Sequence, residues 1–128
     1  MRRSMRIRLV QSLQLLALPA DEQIASLPSF VHIPDELALI YENAFEVVRQ
    51  FPDDLAIELL LVLDAIDLQT SFMTDLYQDG DLDVWTHDAI RHHKAWQIVR
   101  LLARTALMLM DEPVDKPSLD WMTYIPGE

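Results

Sequence analysis

The chain has 128 residues, close to the commonest size of one domain, and 51 % of them are hydrophobic, enough to line one contiguous core. It holds no cysteine, which excludes disulfide frameworks and thiolate metal sites, and only two glycines, Gly80 and Gly127, where β and α/β proteins use many in hairpin turns and phosphate loops. The formal charge of −11 is uneven: four arginines and no acid in residues 1–8, sixteen acids against Arg49 in 9–90, and five of each sign in 91–128. An acidic middle of this kind repels nucleic acid and anionic membrane and attracts basic protein surfaces.

Taken in chain order, the pattern predicts an all-α protein. A first helix spans about Ser4 to Leu18, with Met5, Leu9, Leu13 and Leu16 on one face and Pro19 ending it. The basic start and apolar run loosely imitate a secretory leader, but Gln11, Ser12 and Gln14 interrupt the run, and an amphipathic helix is the better expectation. No run reaches the ~18 apolar residues of a membrane span. A short helix follows over Ala20 to Leu27, then an extended connector through Ile33.

Pro34, Asp35 and Glu36 make a helix start. Leu37, Ile40, Ala44, Val47 and Phe51 are expected to be its buried stripe, with Glu42, Glu46, Arg49 and Asp53 opposite, Pro52 closing it and Asp53 capping the next helix. That fourth helix, about Asp54 to Gln78, is the most apolar segment. Leu55, Leu59, Val62, Ile66 and Met73 share a face, and Asp64, Asp67, Ser71, Asp75 and Gln78 form a thin polar stripe, so the helix is expected at the centre of the bundle.

Residues 79–83 read as a turn, and Thr86 as a helix cap between Trp85 and Ile90. Helix then continues to about Met110 with a break or kink near His93-Lys94. Its core face is Trp96, Val99, Ala103, Ala106 and Met110, and its polar face Gln97, Arg100 and Arg104. The expected architecture is one domain over 1–128, a compact bundle of five or six helices with residues 1–3 disordered and 113–128 an extended tail packed on the bundle.

Chemical signatures are few. Aligned on Gly80, the segment from Asp75 to Thr86 places Asp75, Asp79, Asp81 and Asp83 at positions one, five, seven and nine of a calcium-binding loop. Tyr77 then stands at position three, and Thr86 replaces the bidentate glutamate at twelve, so an ordinary Asp-Gly turn explains the segment more simply. His87, His92 and His93 lack the spacing of zinc ligands on one helix face, and His32 is remote; they read as polar residues at a helix start and bend. Core and tail packing accounts for Phe30, Tyr41, Trp85, Trp96, Trp121 and Tyr124. No catalytic residue, metal site or cofactor is assigned.

Two stretches, Asp35-Glu36-Leu37-Ala38-Leu39 with acids at Glu42 and Glu46, and Leu82-Asp83-Val84-Trp85-Thr86 leading to Trp96–Arg100, together with Gln23–Leu27 before a loop, resemble a group of small acidic helical bacterial proteins. The resemblance covers about residues 13–110. It implies a bacterial, cytoplasmic, helical domain and no particular activity. Where that group has a proline or acidic break before the second tryptophan, this chain has His92-His93-Lys94.

The expected function is that of a non-enzymatic acidic module, concretely an immunity or antitoxin-like inhibitor that steers onto a basic protein partner through Asp35, Glu42, Glu46, Asp64 and Asp67. Acidity serving only solubility explains the same charge. Two further alternatives are a metal site or metal-dependent enzyme on the 75–83 loop, and a protein mimic of DNA. Neither nucleic acid nor membrane is an expected partner, and self-association through Leu39, Met108 and the tail is a further expectation.

Overall fold

Prolines and caps divide the chain. The computed structural model describes the backbone of residues 1–78 and 84–119 and the side chains of 1–75 and 84–119. Helix α1 (Arg3–Ala17) stops at an extended Leu18, because the ring of Pro19 bars its predecessor from the helical region. Helix α2 (Ala20–Ala25) follows at once, and α3 (Ile33–Val48) opens on Pro34 with Asp35 and Glu36 in the first turn, where the helix dipole favours negative charge. A single 3₁₀ turn, Pro52–Asp54, separates α3 from α4 (Ile57–Gln78), so α4 begins three residues later than predicted.

The break near His93 is real. Helix α5 (His87–His92) and α6 (Lys94–Leu109) meet at His93, whose extended backbone ends one helix while its Nδ1 accepts from the Ala95 amide at 3.0 Å to start the other. Thr86 caps α5 as expected, its Oγ1 accepting from the Ala89 N–H at 3.0 Å. The described residues therefore form an all-helical bundle of six α-helices with no strand.

Its centre is not α4. The C-terminal half of α1, Ser12 through Ala17, is buried on every side, between α3 and α6 and under the tail. Helix α4 packs chiefly on α6 through Leu59, Leu63, Ile66 and Met73, and leaves Ile57, Leu61, Leu68 and Phe72 in water. The polar stripe does face water, at Asp64, Ser71 and Asp75, but the bundle does not cover all the other faces of the helix. On α3 the buried set is Leu37, Ile40, Tyr41, Ala44, Phe45 and Val48, not Val47 and Phe51, which are 43 % and 48 % exposed. Both sets have helical spacing, but the helix ends at Val48, so Phe51 never enters the register. Phe30 is likewise exposed rather than core.

Burying α1 raises the question of its last carbonyls, which have no partner within the helix. Gln23, itself fully buried, donates its amide to Leu15 O at 3.2 Å and Leu16 O at 2.8 Å, and Arg104 Nε donates to Ala17 O at 3.1 Å. The Gln23 Oε1 accepts from Arg100 Nη1 at 3.0 Å. Arg100, expected on the polar face, is thus buried; burial, and then the like charge of Arg104, lower its pKa below the ordinary guanidinium value.

Helix α6 ends in a Schellman turn. Asp111 takes a left-handed φ of 57°, its N–H reaches Met108 O at 3.1 Å, and Glu112 N–H reaches Leu107 O at 2.9 Å. The chain then runs back over α1: Gln14 donates to Pro113 O at 3.1 Å, Gln11 to Ser118 Oγ at 3.2 Å, and Leu119 packs against the core. Trp121 and Tyr124 lie outside the described residues. Because Asp is among the few non-glycine residues that tolerate this backbone, Asp111→Ala is expected to destabilise by about 1 kcal/mol in urea unfolding, whereas Asp111→Gly should cause no loss.

Candidate functional site

Helices α3 and α4 are joined at two places. The Tyr41 hydroxyl donates to Leu63 O at 2.7 Å, and Arg49, lying over the Phe45 ring and paired with Glu46, reaches Asp67 at 3.8 Å. Alongside these joints the two helices leave a groove of about 520 Å³. Burial first, then the charges of Asp67 and Asp64, push the Tyr41 phenol above its ordinary pKa, with Arg49 opposing. The phenol thus stays a neutral donor that fixes the spacing of the helices.

Three of the five carboxylates singled out in the sequence line this groove: Asp35 and Glu42 from α3, and Asp67 from α4. The other two do not. Glu46 is turned to Arg49, and Asp64 is exposed on α4, near enough to act on Tyr41. Asp75 is exposed on the same helix, and Asp79, Asp81 and Asp83 lie outside the described residues. Among the described residues, no three His, Asp or Glu side chains come together in a way that could hold a metal ion.

The rest of the lining comes from residues that the sequence does not mark as a site, Ser71 being expected only on the polar stripe of α4. Thr70, Ser71 and Thr74 stand with Asp67 at helical spacing and face the groove; His32 sits at its α3 end, with Nδ1 3.0 Å from Asp35 Oδ2; Leu39 and the half-buried Trp85 form apolar walls. A stripe at 67, 70, 71 and 74 was the available signal. The threonines are oriented by their own helix. Thr70 Oγ1 donates to Asp67 O at 3.0 Å and Thr74 Oγ1 to Thr70 O at 3.3 Å, which commits each hydroxyl proton to the backbone and leaves oxygen lone pairs for the groove.

The result is a cleft rich in acceptors: three carboxylates and two hydroxyl oxygens whose protons are already used. Such a lining suits a group that only donates, an ammonium or a guanidinium. Leu39 and Trp85 suit the apolar stem of that group, and the indole face also attracts a cation.

No described helix is long and apolar enough to cross a membrane. Compared with family models, with curated proteins and with solved structures, the chain matches none.

Proposed function

We propose that this chain is a non-enzymatic, cytoplasmic binding protein whose α3–α4 groove takes lysine or arginine side chains of a basic protein partner. In its concrete form the reading is an immunity or antitoxin-like inhibitor that covers the basic cleft of that partner. The supporting observation is the groove lining: Asp35, Glu42 and Asp67 gathered around hydroxyl acceptors, beside apolar walls fitted to a methylene stem. Net charge supplies long-range steering onto a basic surface, and the groove supplies local recognition.

Calorimetric titration with a tetra-arginine peptide at low salt separates this reading from plain acidity. Asp35→Asn/Glu42→Gln/Asp67→Asn should bind about tenfold more weakly or worse, a loss of at least ~1.4 kcal/mol. A control triple with the same net charge, Glu22→Gln/Asp53→Asn/Asp115→Asn, neutralises exposed acids elsewhere and should bind nearly as the parent does. Equal weakening by both would mean that the charge serves solubility and the groove recognises nothing.

A further inference from the structure

Two of the three groove carboxylates already have a basic neighbour from the chain itself. His32 Nδ1 lies 3.0 Å from Asp35 Oδ2, and Arg49, the C-cap of α3, brings Nη1 to 3.8 Å from Asp67 Oδ2. Among the described residues, Glu42 makes no ion pair with a basic side chain. The two resident bases differ in kind. An imidazole is a cation only when protonated, whereas the Arg49 guanidinium always carries its charge and has no acceptor. The group already seated on Asp67 is therefore of the class that the groove lining suits.

Arg49 does not depend on Asp67 alone. Its Nη2 pairs with Glu46, one turn back on α3, and its guanidinium carbon stands 5.6 Å from the centre of the Phe45 ring. The side chains of Arg49 and Asp67 are 46 % and 34 % exposed, and an ion pair this open to water is weak. Letting go of Asp67 would leave the guanidinium with a carboxylate, an aromatic face and water, and would bury no unpaired charge. Nor is Asp67 remote from the vacant acid. Tyr41, the neighbour of Glu42, donates to Leu63 O, one turn before Asp67 on α4, so Glu42 and Asp67 stand at neighbouring levels of the two helices. A basic side chain entering on Glu42 competes with Arg49 for Asp67.

We propose that Arg49 is a resident cation of the groove and sets its affinity. It occupies Asp67 in the free protein and yields it to a lysine or arginine of the partner while keeping Glu46. The inference rests on the groove reading above and names what a ligand must displace there. Calorimetric titration with tetra-arginine at low salt tests it. Arg49→Gln should bind about threefold more tightly than the parent, the scale of one exposed ion pair. Arg3→Gln, the same change of net charge at an exposed position of α1, should gain little. In an Asp67→Asn background the gain from Arg49→Gln should fall to that of Arg3→Gln, because the cycle isolates the pair. In the unaltered chain, the Arg49 Nε–Hε magnetic resonance signal should shift with added peptide and saturate together with the groove amides. An Arg49→Gln gain no larger than that of Arg3→Gln, an equal gain with and without Asp67, or an Arg49 signal that the peptide leaves in place would overturn the proposal while the groove stands. A parent chain that binds no peptide would remove the groove reading itself, and this inference with it.

Discussion

Trp96→Ala is expected to remove about 3–5 kcal/mol of folding stability, the largest loss of any single truncation considered for this chain. Trp96 has no exposed surface, stands edge-on to Trp85 at 5.8 Å, and donates its indole N–H to Val84 O at 2.7 Å. Truncation therefore opens a cavity and also orphans a buried carbonyl. Trp96→Phe separates these effects, since it keeps most of the volume and loses only the donor; it should cost about 1–2 kcal/mol. Urea unfolding followed by far-ultraviolet dichroism reads both values, and an unchanged m-value would confirm that the loss lies in stability rather than compactness. If Trp96→Phe were neutral, the hydrogen bond to Val84 would not be what holds the 84–86 segment against α6. Because Trp85 on that segment walls the groove, both variants should also weaken cation binding.

The second large effect is expected at Gln23. Replacing it by leucine keeps the bulk but strips the donors from Leu15 O and Leu16 O and the acceptor from Arg100, all in buried surroundings. The expected loss is about 3 kcal/mol, since each orphaned buried group costs ~1–3 kcal/mol. Arg100→Leu alone should cost less, because it removes the charge together with its need for a partner. The double variant should therefore fall short of the sum of the two singles by about 1 kcal/mol or more. Gln23→Glu offers Arg100 a better acceptor but turns a second lone-pair oxygen toward the α1 carbonyls, and it too should destabilise. Additive single losses would show that Gln23 and Arg100 do not act as one unit.

Local pattern carried the sequence reading as far as local pattern can. The α6 core face of Trp96, Val99, Ala103, Ala106 and Met110 was legible because a strong 3.6-residue period ran uninterrupted between two caps. Thr86 and the discontinuity at His93 were legible for the same reason: caps are encoded within four residues. Arg100 was not, since what buries it is an amide 77 residues away on α2. Nor was the place of α4, because an apolar stripe records only that a face avoids water. It does not say whether the bundle or a second molecule covers it. For the groove, the carboxylates at 35, 42 and 67 could be named from composition and helix phase. Their convergence needed the packing of α3 on α4 through Tyr41 and Leu63, and the acceptor character of Thr70 and Thr74 needed their hydrogen bonds.

A nuclear magnetic resonance titration of the wild-type chain with tetra-arginine peptide bears most directly on whether the cleft beside Tyr41 recognises cations. Amide shifts should concentrate at 35–42 and 67–74 and saturate together with one affinity. Shifts spread evenly over acidic residues of every helix, or saturating separately, would contradict a defined cationic site.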